Sequence, residues 1–157
     1  MTRITQIMQK KLPEMQLLSV RKTIHFFEEY SDFMGEAVGK IEERIKEADS
    51  YPSSGPIVCF HNMDLEKLDV EIGFQIAEPI AGKGAVKDSV LPARTIATAI
   101  DQGPYEKQDP TMEELMKWIS ENGYQPTGGI YYHYLNDDQR PEEELLTEMY
   151  LPITKQS

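Results

Sequence analysis

The sequence predicts an α+β domain made of two β-α-β-β modules, with an antiparallel sheet and two long helices. Three observations carry the prediction. Gly55–Asn62 followed by Asp69–Ile76, and Gly128–Asn136 followed by Leu146–Ile153, are matching hairpin patterns: a glycine-opened β-rich run, a polar connection, then an alternating strand. A strand-like run and an amphipathic stretch precede each hairpin. A lone glutamate, Glu71 or Glu148, sits near the start of each final strand. The expected boundaries are repeat one at about 12–78, a linker at 79–92 and repeat two at about 93–153, within a single domain spanning 1–157.

The elements follow in order. Met15–Ile24 (MQLLSVRKTI) reads as a strand and Tyr30–Asp49 as a helix. Phe27, Met34, Val38, Ile41, Ile45 and Ala48 trace its apolar stripe. Asp49–Pro56 is a stop and turn. In the second half Ala93–Ile100 reads as a strand and Asp109–Asn122 as a helix. Asp109 is its expected N-cap, with Pro110 at the first helical position and Gly123 as the C-terminal stop. Met112, Leu115, Met116 and Ile119 are its expected core stripe. Alternation along the strands places Val70, Ile72, Phe74 and Ile76 under the first helix, and Thr147, Met149, Leu151 and Ile153 under the second. Glu71, Glu148 and Tyr150 then point to the other side. Those faces, or a groove between the repeats, are the expected site.

Composition narrows the function. Hydrophobic residues make up 39% and charged residues 27% of 157 residues, as in a globular chain. Apolar runs are too short to span a membrane, and Met1–Lys11 lacks the pattern of a secretory signal. With the single Cys59 this makes the cytoplasm the expected location. A net charge of −11 argues against direct nucleic-acid binding, which needs clustered Lys and Arg. It suits cationic or neutral ligands better than anionic ones. His25, His61 and His133 are dispersed, so neither a metal nor a cofactor is expected. Gly82-Lys83-Gly84 is not a dinucleotide fingerprint, and no GxSxG elbow exists. Cys59 reads as a small core or wall residue.

A carboxylate carries the candidate chemistry. Glu148 lies among Leu146, Met149, Tyr150 and Leu151. It is either the polar residue on the wet side of a strand or a desolvated group with a raised pKa. In the second case a cation would restore its lost solvation, with aromatic faces adding about 0.5–2 kcal/mol per cation–π contact. Glu71 matches it by internal symmetry, with Gly73 leaving room for a ligand or with Glu71 simply solvated. Tyr134 corresponds to Phe60, and both either flank a groove or fill the core. Trp118 suits a cleft rim or a half-buried surface place. Tyr105, after Gly103-Pro104, marks a tight turn that puts an aromatic at the sheet end.

DVEIGFQI (Asp69–Ile76), DQGPYE (Asp101–Glu106), EELMKWISENGY (Glu113–Tyr124), YLNDD (Tyr134–Asp138) and EELLTEMYLPI (Glu143–Ile153) resemble the GyrI-like family over about residues 12–153. That small-molecule-binding fold also serves as the effector domain of AraC-type and MerR-type multidrug regulators. The resemblance implies duplicated modules of the SHS2 type. The family's pocket glutamate matches Glu148, its Gly-Pro-Tyr matches Gly103, Pro104 and Tyr105, and its helix tryptophan matches Trp118. Because both repeats consume the chain, the expectation is a stand-alone binder of amphipathic aromatic, cationic small molecules, with Tyr150 beside Glu148. Two alternatives stay open. One is a hydrolase opening strained cyclopropane-type electrophiles with a water activated by Glu148. The other is a protein that modulates gyrase.

Overall fold

The computed structural model describes residues 3–136 and 139–156, apart from the side chain of Glu106. Asp137 and Asp138, which end the YLNDD segment, lie outside the described residues. In chain order the elements are β1 (Met8–Leu12), β2 (Met15–Ile24), α1 (Phe26–Glu47), β3 (Ile57–Phe60), β4 (Leu68–Ile76), β5 (Lys87–Leu91), β6 (Arg94–Gln102), α2 (Asp109–Glu121), β7 (Tyr124–Pro126), β8 (Ile130–Tyr134) and β9 (Leu146–Lys155). The fold is α+β, with antiparallel pairings and two helices, and the chain separates into two compact units.

The unit Glu14–Pro92 pairs its strands in the order β3-β4-β2-β5. α1 packs on β2 and β4. Strand alternation works as expected here: Leu68, Val70, Ile72, Phe74 and Ile76 are all buried. α1 differs from the sequence expectation at both ends and in its stripe, ending at Glu47 with Ala48, expected in the stripe, exposed just beyond. It starts at Phe26, because the Glu29 carboxylate accepts the His25 N–H at 2.9 Å and the Leu65 carbonyl accepts that of Phe26 at 2.8 Å, satisfying amides the helix cannot. Its buried stripe is Phe33, Ala37, Ile41 and Ile45, four residues apart, with Met34 and Val38 on the flank and Phe27 at 76% exposure. The largest apolar side chains therefore misplaced the stripe by one residue over its first half. Residues 79–92, expected as linker, contribute β5, which pairs with β2 from Met15↔Leu91 to Ser19↔Lys87.

The other unit joins the described part of Met1–Pro13 to that of Ala93–Ser157, in the order β1-β6-β9-β8, with β7 also on β9. α2 lies over β6, β7 and β9. Its core gathers Met112, Leu115 and Ile119 against Ala97, Ala99, Ile130, Met149, Leu151 and Ile153. Thr111 completes the buried face and Met116 is exposed, so the expected stripe is corrected at one position. The N-cap is Gln108 rather than Asp109; its amide is buried and donates to Thr147 Oγ1 at 3.0 Å. Gly123 adopts φ +79, the left-handed conformation that a helix stop favours. The polar N-terminal segment holds β1, which was not expected as a strand. It is an edge strand with mostly exposed residues on both faces, so no hydrophobic period marks it.

Candidate functional site

β9 sends Thr147, Met149, Leu151 and Ile153 towards α2, and Glu148 and Tyr150 the other way. The register sets what surrounds Glu148: Ile100 of β6 lies opposite it on one side and His133 of β8 on the other. Thr98, two residues before Ile100 on β6, donates its hydroxyl to Glu148 Oε2 at 2.7 Å. Lys10 of β1 donates its ammonium to the same oxygen at 2.8 Å. The glutamate side chain is 12% exposed and the lysine 41%. Two donors thus replace the water that burial removes from the carboxylate. Its setting is more polar than the apolar cleft that Leu146, Met149 and Leu151 suggested, because Met149 and Leu151 point to the opposite face and Thr98 and Lys10 reach the carboxylate from β6 and β1.

A stacked aromatic pair adjoins this group, with Tyr150 buried at 1% exposure and Tyr131 half-buried. The Tyr131 ring stacks on that of Tyr150, 4.9 Å between centroids and 3° from parallel. The Arg94 guanidinium lies 6.0 Å from the Tyr150 ring centroid, within cation–π range. Burial pushes the His133 imidazole below its ordinary value; Glu148 works against that shift and Lys10 adds to it.

The other expected residues occupy different places. Tyr105 and Tyr134 pack together at 4.8 Å, where Gly103, at φ +124, turns the chain and donates its N–H to Leu145. Tyr134 pairs with Thr147 and so shares the α2 side of its sheet. Trp118 stacks on Tyr124 at 6.1 Å and packs on the α2 core, across the sheet from Glu148. Phe60 belongs to the other unit, edge-on to Phe26 and Tyr30.

Glu71 is committed within its own unit. Ser19 donates to its Oε2 at 2.5 Å, and His61 Nε2 lies 2.8 Å from Oε1, with Cys59 Sγ 3.8 Å from the other ring nitrogen. Beside it the Arg21 guanidinium grips Asp69 through two bonds of 2.8 and 2.7 Å, holding that carboxyl below its usual range. Gly73 does not leave open space. A Cβ there would meet the Leu18 carbonyl at 3.0 Å and Leu17 Cδ1 at 3.2 Å, so glycine permits close strand packing.

The two glutamates share a local arrangement. Each takes a hydroxyl from the strand it pairs with, two residues before its cross-strand partner: Ser19 before Arg21, and Thr98 before Ile100. The sequence had singled out neither hydroxyl, nor Lys10 and Arg94; alternation among Tyr131, Tyr132 and Tyr134 requires at least one on the face away from the helix, and Tyr131 is there. Tyr131 and His133 share the parity of Glu148 once the register is known, and Lys10 carried no local signal at all.

A model of the GyrI-like small molecule binding domain matches residues 5–154. The chain belongs to the GyrI-like family. Solved structures agree with this GyrI-like assignment at the level of fold. The C-terminal domain of EcmrR is similar at TM-score 0.80 and 23% identity, covering 96% of this chain and 98% of that one. EcmrR in its complex with DNA is similar at TM-score 0.82 and 23% identity, over 96% of this chain; the GyrI-like chain spans 57% of that longer protein. A hydrolase from Listeria innocua shows TM-score 0.66 and 15% identity, covering 97% and 93% of the two chains. SAV2435 bound to tetraphenylphosphonium shows TM-score 0.62 and 14% identity, covering 96% and 94%. No curated protein sequence matches. No helix among the described residues is long and apolar enough to cross a membrane.

Proposed function

We propose that this GyrI-like chain binds amphipathic, aromatic cations, with Glu148 as counter-charge and the half-buried Tyr131, stacked on the buried Tyr150, as aromatic surface. The observation that carries this is a carboxylate only 12% exposed, held by Thr98 and set beside a stacked tyrosine pair. A desolvated anion gains more from a cation than a hydrated one, because the cation replaces solvation already lost. A quaternary phosphonium or ammonium donates no hydrogen bond, so charge and aromatic contact must hold it. SAV2435, which is similar in fold, has been crystallised with such a cation. Tyr105, Trp118 and Tyr134, on the α2 side of the sheet, and Phe60 and Glu71, in the other unit, take no part in this centre. The shared hydroxyl-to-glutamate arrangement supports the view that the two units are copies of one SHS2-type module.

Titration calorimetry with tetraphenylphosphonium tests the proposal. Binding is expected in the intact chain and a loss of at least tenfold in Glu148→Gln, which keeps the shape and removes the charge. Undiminished affinity in Glu148→Gln overturns it.

A hydrolase reading uses the same carboxylate, and the fold shared with the Listeria innocua hydrolase favours keeping it. Glu148 would take a proton from water as the water attacks a strained electrophilic carbon, and the opening ring would receive a proton in return. Catalysed loss of a cyclopropane-bearing alkylator, abolished in Glu148→Gln, supports this reading; stoichiometric binding without product removes it.

A further inference from the structure

We propose that Lys10 is a built-in competitor for the cation site: its ammonium occupies Glu148 until a ligand displaces it. The inference rests on Glu148 being the counter-charge, and it adds the residue that tunes its affinity. Lys10 stands 138 positions from Glu148 in the chain, yet its Nζ lies 2.8 Å from Oε2. β1 brings it there by pairing with β6, Lys10 facing Ile96 and Met8 facing Thr98, the residue whose hydroxyl already serves the same oxygen.

The two partners are unequally placed. Glu148 is 12% exposed and cannot recover its hydration by a rotation, whereas the Lys10 side chain is 41% exposed on an edge strand. A lysine has four rotatable bonds and a strongly hydrated head, so swinging into solvent returns most of what the ion pair gave it. A second cation near the same oxygen would repel the ammonium, and the two occupancies exclude each other. The glutamate is therefore never left bare: Lys10 covers it when the site is empty. The lysine also sets a threshold, because a cation must outcompete a tethered ammonium while a neutral aromatic gains nothing from displacing it. Selectivity for charge comes from Glu148, and a reduced affinity for cations alone follows from Lys10.

Affinities for tetraphenylphosphonium and for neutral triphenylphosphine oxide, measured by calorimetry at low salt, test this in the intact chain, Lys10→Gln and Glu148→Gln. Lys10→Gln is expected to bind the phosphonium roughly three- to tenfold more tightly, the scale of one partly screened ion pair, and the oxide unchanged. Added salt narrows the gap. Equal phosphonium affinity in the intact chain and Lys10→Gln, with Glu148→Gln still impaired, overturns the competitor role and leaves the counter-charge standing. An equal gain for both probes also overturns it, since that gain would not depend on charge. Undiminished phosphonium binding in Glu148→Gln overturns the reading beneath it.

Discussion

Thr98→Val isolates the hydroxyl that fixes Glu148. The substitution preserves volume and β-branching in a strand residue that is 4% exposed, so packing changes little. What disappears is a 2.7 Å hydrogen bond to a charged acceptor whose side chain is 12% exposed. Bonds to charged groups contribute about 1.5–3 kcal/mol, and the value falls to the lower end because Lys10 still serves the same oxygen. A loss of about 1.5 kcal/mol lowers the thermal midpoint of a chain this size by roughly 3–6 °C. Urea denaturation of the single variants, and of Thr98→Val in a Glu148→Met background, gives the pairwise coupling directly. In that background the hydroxyl has no anion to serve, and its removal should cost little. Equal losses in both backgrounds, a coupling under about 0.3 kcal/mol, would refute the argument that this bond holds the carboxylate.

Other outcomes are expected. Gly39→Ala, in α1 with nothing within 4 Å of the added Cβ, should raise stability by about 0.5–1 kcal/mol in urea titrations. Gly82→Ala should lower it by about 1–3 kcal/mol, since its Cβ would sit 2.6 Å from the Val86 carbonyl. The His133 imidazole is held below its ordinary 6.5 in the folded chain, so the unfolded chain takes up that proton first. Its contribution is complete above that value and lost as pH falls through it towards the lower folded value. His133→Asn should therefore show a shallower fall in urea midpoint between about pH 7 and about pH 5; parallel profiles would count against the buried imidazole.

The elements with a covered face were legible before any coordinates. β4 keeps a buried residue at every second position because one face packs under a helix, and α2 begins one residue ahead of the start that Pro110 marked and stops at Gly123. β1 and β5 were not legible. Both are edge strands exposed nearly throughout, and a strand that buries neither face leaves no period of two in its hydrophobicity. Met116 and Phe27 mark a further boundary: apolar residues beside a stripe satisfy a helical pattern as well as those in it, and only the sheet beneath decides which are buried.

The same division holds for the site. The sequence by itself determined that Glu148 and Tyr150 share one side of a strand, because side chains alternate whatever the strand pairs with. It could not determine that Thr98 and Lys10 both serve one oxygen of Glu148, or that Tyr131 lies flat on Tyr150. Those contacts depend on strand register, and register is fixed by how whole hydrophobic faces fit together across dozens of residues. Alternation is a property of the backbone, whereas the company a side chain keeps is a property of the packed molecule.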